Sequence, residues 1–352
     1  MSPLSKRGRV RVLQPFERPE TADSAAAIVD GDSNTDRMKF SHSEEKRDGR
    51  DLDVLTDEEN GLRIIVSRLG AQLVSLARVN EAGNWIGFLY RDDDLSKPSQ
   101  GWANHATVMG YYIHRLKNGR SLYRGHEIKG GTHGFLRATT WHLTGSSTEG
   151  SGASLKYEIT PNDFSATDYP LKVSVDLTYA IEANKVAVLF EFRNQEPELT
   201  AHVSFGLHPG FGATSFESFH LQMPRGLYRR YVAPGNFLSG ETRDIEFPGG
   251  EMPFSKTELP GSFLLELVDV PRPRFSYVDP PSGRWVLIDL AGVPYMTLWS
   301  DGGPFLCVEP CWGLPDAHEQ RAFEQKEGIQ TIPPGGELRA SFSMTPQLAS
   351  CD

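Results

Sequence analysis

The chain has 352 residues, with 36 lysines and arginines against 46 aspartates and glutamates, for a formal net charge of −10 at pH 7. This acidic balance argues against a nucleic-acid partner and favours a neutral or weakly charged small molecule. No apolar run is long enough to cross a bilayer, and no apolar segment of a secretory signal follows the basic N-terminal residues. We therefore expect no membrane partner.

The cysteines of the chain are Cys307, Cys311 and Cys351. An odd number clustered near one end does not make a disulfide framework. Cys307 and Cys311 have a spacing that suits a metal site only if two further ligands join them, and none is near in the sequence. We favour structural roles for both, and a reducing cytoplasm as the location of the protein.

The first 53 residues are polar, charged and poor in aromatic side chains. Such a composition buries too little apolar surface to offset the entropy of ordering. Residues 1–53 are therefore predicted to be an extension, partly disordered or lying on the surface, that contributes little to the core. Residues 54–348 are predicted to form the folded domain.

The predicted domain is built from many short strands. Its 34 glycines and 24 prolines, counted over the whole chain, supply frequent turns between apolar or alternating segments. This spacing is typical of an antiparallel meander or sandwich, and only residues 317–327 predict a helix. The clearest predicted strands are residues 62–66, 70–79, 85–90, 141–144, 154–160, 171–181, 185–194, 202–207, 285–290, 294–299, 328–332 and 338–344.

Glu309 follows the apolar, partly β-branched residues 305–308, which predict the end of a buried strand. Pro310 comes next and cannot donate a hydrogen bond to a neighbouring strand. A carboxylate at this position is costly to bury without a partner, but it is held rigidly, as a general base should be. On local grounds alone, an exposed glutamate at a turn is the favoured interpretation.

Three further side chains lie at comparable positions. His208 follows the predicted strand 202–207 and precedes a Pro-Gly turn. His133 lies in the glycine-rich segment 130–135, where the backbone can come close to a ligand, although a solvated loop histidine is an equal alternative. Arg115 precedes an Asn-Gly hairpin signal. Carboxylate, imidazole and guanidinium groups all hydrogen-bond to sugar hydroxyls, so this set suits a polyhydroxylated ligand.

Aromatic side chains near these positions offer apolar faces for a sugar ring. The candidates are Phe135, Phe211, Trp299 and Trp312, with a core position favoured for Trp299. A metal site built from the two histidines and Glu309 is disfavoured because no H-E-x-x-H spacing occurs. Dinucleotide-binding, P-loop and nucleophile-elbow patterns are also absent, so no metal and no cofactor are expected.

The ordered combination of these motifs resembles the aldose 1-epimerase (galactose mutarotase) family, and especially its LacX-like branch. The similarity extends from about Leu62 to Met344 and implies an all-β fold, the galactose mutarotase-like β-supersandwich of mostly antiparallel strands. The motifs that carry the resemblance are Gly70–Leu76, His114–Leu116, His133–Arg137 with Trp141, Tyr169–Leu171, Phe205–Phe211, Phe305–Asp316 and Pro333–Gly336.

The resemblance implies that Glu309 is the general base and His208 the general acid of a cofactor-free mutarotase acting on galactose or glucose. It also implies that His133 positions the sugar and that Arg115 binds its hydroxyls, and the predicted partner is this sugar alone, in a monomer or homodimer. The family also uses an aspartate to bind sugar hydroxyls. Asp269 and Asp289 are the candidates here.

Two alternatives keep the fold and change the function. A hexose 6-phosphate 1-epimerase would need basic side chains at the site, for which Arg115 and Arg137 are candidates. A carbohydrate-binding protein without catalysis would use the same sandwich and aromatic residues. The presence of both His208 and Glu309 argues against this second alternative, because a protein that only binds sugar has no need of an acid–base pair.

Overall fold

A computed structural model of the chain describes residues 39–349, which form two large antiparallel sheets and six one-turn 3₁₀ helices. The 3₁₀ helices are Lys117–Gly119, Leu136–Ala138, Pro234–Asn236, Leu259–Gly261, Pro280–Ser282 and Phe323–Gln325. The strands are β1 Phe40–Arg47, β2 Arg50–Asp57, β3 Leu62–Ser67, β4 Gln72–Val79, β5 Trp85–Gly87, β6 Ala106–Met109, β7 Arg120–Tyr123, β8 His126–Lys129, β9 His142–Ser147, β10 Gly152–Ile159, β11 Val173–Glu182, β12 Lys185–Asn194, β13 Ala201–Val203, β14 Phe205–Gly212, β15 His220–Met223, β16 Gly226–Tyr231, β17 Thr242–Phe247, β18 Gly250–Glu251, β19 Phe263–Asp269, β20 Arg274–Asp279, β21 Arg284–Asp289, β22 Tyr295–Trp299, β23 Phe305–Trp312, β24 Gln330–Ile332 and β25 Glu337–Leu348.

The larger sheet has 12 strands in the order β1-β2-β3-β4-β6-β14-β23-β22-β19-β16-β17, with β5 paired to β4. The second sheet has nine strands in the order β18-β15-β20-β21-β25-β12-β11-β10-β9. Two hairpin-sized sheets, β7-β8 and β13-β24, complete the set. The predicted all-β fold of mostly antiparallel strands is confirmed.

One hydrophobic core lies between the two large sheets. Strand β12 alternates buried and half-buried residues along its length, as expected for a strand with one face on the core. Its Phe190 and Phe192 rings reach across to Phe205 on β14 of the other sheet, with ring centroids 5.2 and 4.5 Å apart. These contacts fix the inner face of β14, the strand that carries His208.

Strands β14 and β23 are neighbours in the middle of the 12-stranded sheet, and every residue of both is buried. The sequence predicted that the strands ended before His208 and Glu309, but both continue past those residues through Pro209 and Pro310. The prolines are accommodated because the ladder is interrupted between the pairs Gly206–Cys311 and Gly210–Cys307.

The N-terminal boundary predicted at residue 53 is too late. Strands β1 and β2 form a hairpin at the edge of the 12-stranded sheet, closed by Asp48 and Gly49, which both have positive φ. Phe40, Leu52 and Leu55 of this hairpin are buried. Asp-Gly between two strands is a strong hairpin signal, which the charged composition of the segment concealed. The predicted disorder of residues 1–38 concerns a part of the chain outside the described residues.

The helix predicted at residues 317–327 does not form. Only Phe323–Gln325 makes a single 3₁₀ turn. The backbone of Ala317 instead pairs with Leu238 in a parallel bridge, and the His318 amide donates to the Leu238 carbonyl. Pairing with a distant segment therefore replaces the local hydrogen bonds of a helix. None of the helices in residues 39–349 is long and apolar enough to traverse a lipid bilayer.

Candidate functional site

A hollow of about 470 Å³ opens over the middle of the 12-stranded sheet. Its volume lies in the range of small-molecule sites, and it combines aromatic walls with several polar groups. It contains three histidines, two arginines, two carboxylates and two tryptophans. These lining residues are Trp102, His114, Arg115, His133, Arg137, His208, Trp299, Asp301 and Glu309.

His208 and Glu309 face each other at this hollow. The register that pairs Gly206 with Cys311 and Gly210 with Cys307 sets His208 opposite Glu309 on the neighbouring strand. Side chains at such opposing positions lie on the same face of a sheet. Nε2 of His208 is 3.3 Å from Oε1 of Glu309, and the two residues are 6% and 1% exposed. The sheet therefore brings together two groups separated by about a hundred residues of chain.

Burial shifts the pKa values of both side chains in the direction that favours the uncharged form of each. It raises the pKa of Glu309 well above the usual range of a carboxyl group. Burial, together with nearby His114 and Arg137, lowers the pKa of His208 to about 3. Burial thus favours the uncharged form of each side chain, a protonated carboxyl group on Glu309 and a neutral imidazole on His208.

His133 and His114 hold each other in a fixed arrangement. The His114 amide donates to Nδ1 of His133 at 3.2 Å, and the His133 amide donates to the His114 carbonyl at 2.8 Å. Burial lowers the pKa of His133 well below its usual value, so the ring is neutral. Since Nδ1 accepts a hydrogen bond, the proton lies on Nε2, and His133 is assigned as a hydrogen-bond donor.

The loop that carries His133 depends on a glycine. His133 has φ of 66°, and Gly134, the next residue, has φ of 73°. A Cβ on Gly134 would lie 2.0 Å from the Gly110 carbonyl oxygen, closer than any side chain tolerates. Glycine therefore permits the close backbone approach that sets His133 at the hollow.

Arg115 and Arg137 bring positive charge to the hollow without a compensating partner. Neither guanidinium forms an ion pair or a side-chain hydrogen bond with any residue in the described range 39–349. Burial lowers the pKa of Arg137, although a guanidinium remains charged in proteins. Such donors are available to a ligand.

An ion pair behind the hollow fixes the Arg115 segment. The Asp316 amide donates a hydrogen bond to the Arg115 carbonyl at 3.1 Å, and the Asp316 carboxylate accepts one from the Lys117 amide at 2.8 Å. Lys326 forms an ion pair with the same carboxylate, and both side chains are 2% exposed. Because Asp316 lies shortly after β23, this contact ties the Arg115 segment to the strand that carries Glu309.

An aromatic wall borders the His208 side of the hollow. The Trp102 ring stacks on the His208 ring at 5.1 Å, and the Trp299 ring meets Trp102 edge-on at 6.0 Å. The Trp102 amide donates to the Asp301 carboxylate at 3.0 Å. A Cβ on Gly210 would lie 2.3 Å from the Trp102 ring, so this glycine makes room for the indole.

The chain was compared with protein families and with solved structures. Residues 53–225 match the model of a family described as aldose 1-epimerase. This stretch of the chain is therefore assigned to the aldose 1-epimerase family. The match runs from within β2 to the residue before β16, so it includes His133 and His208 but ends before Glu309. No match was found among curated proteins.

Several crystal structures of similar fold cover nearly the whole of the described domain. A galactose mutarotase related enzyme from Lactobacillus acidophilus is 23% identical, with a TM-score of 0.74 over 84% of this chain and 97% of that one. A galactose mutarotase-like protein from Lactobacillus casei is 22% identical, with a TM-score of 0.70 over 84% and 100% of the chains. An aldose epimerase homologue from C. elegans is 15% identical, with a TM-score of 0.62 over 83% and 97%. These likenesses establish the galactose mutarotase-like sandwich fold of the family.

Three aromatic predictions are wrong. Phe211 is fully buried against Tyr277 in the core, and Trp312 stacks on Phe205 beneath the sheet, so neither lines the hollow. Trp299, for which a core position was favoured, is half-buried and lines the hollow. Strand alternation explains the difference, because Phe211 and Trp312 are odd-numbered steps away from His208 and Glu309 along their strands and point to the opposite face.

The aspartate of the hollow is Asp301, which the sequence analysis missed. Asp269 ends strand β19, and Asp289 forms an ion pair with Arg274, so neither candidate lies at the hollow. Asp301 follows β22 in the turn before β23, where its carboxylate accepts from the Gly303 amide at 2.8 Å. Its position in the turn that leads into the strand of Glu309 was the sequence signal that could have identified Asp301 as a site residue. Trp102 and His114 were also not singled out as site residues.

A second grouping of potential ligands lies next to Glu309. A ring nitrogen of His114, a carboxylate oxygen of Glu309 and the Cys311 sulfur all lie within 4.8 Å of one another. No further ligand was expected near Cys311 from the sequence, but Glu309 lies two residues before it and the fold brings His114 to the same place. Imidazole, carboxylate and thiolate together are donors that hold a transition metal such as zinc.

Proposed function

We propose that this protein is an aldose 1-epimerase that interconverts the α and β anomers of a free hexose such as galactose or glucose. The observation that carries the proposal is the 3.3 Å contact between Nε2 of His208 and Oε1 of Glu309 at a sugar-sized hollow. Ring opening of a hemiacetal needs one group to remove a proton and another to supply one. A buried pair with a transferable proton suits that task.

The proposed reaction begins with transfer of the carboxyl proton from Glu309 to His208. The Glu309 carboxylate then accepts the proton of the anomeric hydroxyl, while the His208 imidazolium donates its proton to the ring oxygen. The bond between C1 and the ring oxygen breaks, and the open-chain aldehyde forms. Rotation about the C1–C2 bond and closure on the other face reverse the two proton transfers. Each proton transfer by a positioned group contributes about 10²–10⁴-fold.

The surrounding residues supply sugar recognition in this proposal. The Nε2–H of His133 and the Arg115 guanidinium donate to hydroxyls, and the Asp301 carboxylate accepts from them. Trp102 and Trp299 offer apolar faces to the ring. Hydrogen bonds to the Glu309 carboxylate from bound hydroxyls offset the cost of its charge, which burial otherwise disfavours. No metal or cofactor takes part in these steps.

A specific observation favours a second candidate, a hexose 6-phosphate 1-epimerase. Arg115 and Arg137 both line the hollow, and neither pairs with a carboxylate in the part of the chain that the structure describes. Arginine is the preferred side chain for bidentate phosphate recognition. The acid–base chemistry would be unchanged, and only the group bound at the far end of the sugar would differ.

Polarimetry of freshly dissolved α-glucose and α-galactose tests the proposal, with each 6-phosphate ester as competitor. We expect the enzyme to accelerate the approach to anomeric equilibrium, and Glu309→Gln to remove the acceleration while circular dichroism remains unchanged. Sugar binding with no acceleration would contradict the proposal and favour a carbohydrate-binding protein. We place this activity in a reducing cytoplasm, because Cys307 and Cys311 are free, buried thiols.

A further inference from the structure

A cluster of three buried side chains lies beside the proposed catalytic pair. Cys311 follows Glu309 by two residues on β23, so both side chains leave the same face of the strand. His114 approaches from the segment after β6, and Thr297 lies between it and Cys311. The Thr297 hydroxyl is 3.3 Å from Nε2 of His114 and 3.8 Å from Sγ of Cys311. We infer that His114, Glu309 and Cys311 form an inhibitory binding site for Zn²⁺.

The spacing of the donor atoms is close to that of a zinc site. All three lie within 4.8 Å of one another. Tetrahedral zinc with ligand bonds of about 2.0–2.3 Å holds its donor atoms roughly 3.3–3.8 Å apart. The cluster therefore closes by about 1 Å on binding, a distance that side-chain rotation covers. Thiolate, imidazole and carboxylate donors select zinc over magnesium or calcium, which prefer oxygen alone.

A second observation points to a ligand at this place. Oε2 of Glu309 is buried and has no hydrogen-bond partner among residues 39–349, although the residue is only 1% exposed. Buried carboxylate oxygens are nearly always satisfied, because leaving one without a partner is costly. A bound cation would satisfy it directly.

Access and charge also fit a divalent ion. His114 and Glu309 line the hollow, so an ion reaches the cluster from there, and a fourth coordination position is open to water. Cys311 would bind as a thiolate and Glu309 as a carboxylate, and the proton that each group holds in the metal-free protein would be released to solvent. One thiolate and one carboxylate then balance the two positive charges of the ion, which avoids an uncompensated charge in the sheet.

The inhibition by zinc depends on the role of Glu309 as the catalytic base, and so it rests on the proposed function. A carboxylate that coordinates zinc is no longer free to accept the anomeric proton, so the bound ion and the reaction exclude each other. The prediction that zinc binds does not depend on the reaction. The two parts of the inference therefore have separate measurements.

The test uses the full chain, freed of metal with a chelator and titrated with Zn²⁺ against a chromogenic zinc indicator. We expect one equivalent to bind and mutarotation to fall in proportion to occupancy. Cys311→Ala should weaken both effects by at least about tenfold, since changes even to outer-shell partners of a metal cost 10–100-fold in affinity. Cys307→Ala is the matched control, because it removes another buried thiol of the same strand but leaves the three donors in place.

Cobalt substitution provides a readout that does not involve activity. Co²⁺ bound to the wild-type protein and to Cys307→Ala should give a thiolate charge-transfer band that Cys311→Ala lacks. Failure of the metal-free protein to bind zinc, or equal zinc affinity in Cys311→Ala, overturns the site. Stoichiometric binding through Cys311 with unchanged or increased mutarotation overturns the inhibitory role. A metal-free enzyme without mutarotase activity would instead contradict the proposed function while leaving the zinc titration intact.

Discussion

His208 and Glu309 occupy opposing positions on neighbouring antiparallel strands, with Nε2 of the imidazole 3.3 Å from Oε1 of the carboxyl group. Both strands are central and fully buried, so the pair is held by the sheet and not by a loop. Residues on rigid elements keep a more precise geometry than residues on loops. The proposed chemistry follows from this relationship and from the uncharged forms that burial favours for both groups.

The burial of His208 and Glu309 predicts an unusual dependence of activity on pH. A second proton would have to bind His208, whose pKa is lowered by burial to about 3, and the last proton would have to leave Glu309, whose pKa burial raises. We therefore expect kcat/KM not to fall as the pH is lowered from 7 to about 5, whereas protonation of an ordinary histidine, with a pKa near 6.5, would lower it. The measurement is the mutarotation rate at low sugar concentration across this range. A tenfold fall between pH 7 and 5 would contradict the assigned protonation state.

Gly134→Ala tests the loop that presents His133. The new Cβ would meet the Gly110 carbonyl oxygen at 2.0 Å, and the alanine would have to adopt φ of 73°. The left-handed conformation alone costs about 1–2 kcal/mol, and the clash adds to it. We expect a lower free energy of unfolding in urea and a raised KM. Gly131→Ala is the control, because its Cβ would meet nothing within 4 Å. Equal behaviour of the two variants would show that the loop is not constrained as described.

His208 and Glu309 each carry a local signal, an apolar strand followed by a proline, but their proposed roles as acid and base came from the resemblance to the aldose 1-epimerase family. The sequence could not predict the strand ends, since His208 and Glu309 lie inside β14 and β23 and the prolines are tolerated where the ladder is interrupted. Phe211 and Trp312 were assigned to the site because they are aromatic and close in sequence. Which face of a strand a side chain leaves depends on register and pleat, and both strands are buried on each face, which removes the alternation that would have shown it.

Other parts of the site depend on contacts between distant segments. Trp102 reaches the hollow because the Asp301 carboxylate holds its amide and Gly210 makes room for its ring. No local pattern near Trp102 indicates these contacts. The edge hairpin of β1 and β2 was missed for a different reason. Its Asp48–Gly49 turn is a standard signal, but the charged residues around it match the composition of disordered segments.

Lys326→Met tests the buried ion pair behind the hollow. The change leaves the Asp316 carboxylate without its cation, and we expect a loss of about 3–5 kcal/mol in the free energy of unfolding. Asp316→Asn combined with Lys326→Met should recover part of that loss, because no uncompensated charge remains. Lys46→Met is the control, since Lys46 and Asp51 form an exposed pair worth at most about 1 kcal/mol. A loss no larger than that of the control would show that the pair does not stabilise this segment.

Arg137→Met separates the two candidate substrates. A hydrogen bond to a charged group contributes about 1.5–3 kcal/mol, so we expect KM for a hexose 6-phosphate to rise roughly 10- to 100-fold if Arg137 binds the phosphate. KM for the free hexose should change less than about threefold, since the neutral sugar has no charged group to lose. Arg243→Met, an exposed arginine paired with Glu241, controls for net charge. An equal rise of KM for both sugars would show that Arg137 does not recognise phosphate.

The exchange rate between α- and β-glucose, measured by polarimetry or by magnetisation-transfer NMR, tests the central claim most directly. It should be compared among the wild-type enzyme, Glu309→Gln, His208→Gln and the double variant, with circular dichroism to establish that each is folded. We predict that each single change removes about 10²–10⁴-fold of the acceleration, and that the double variant is little worse, because residues that act as a unit are not additive. A folded Glu309→Gln enzyme with a rate within about twofold of wild type would contradict the account.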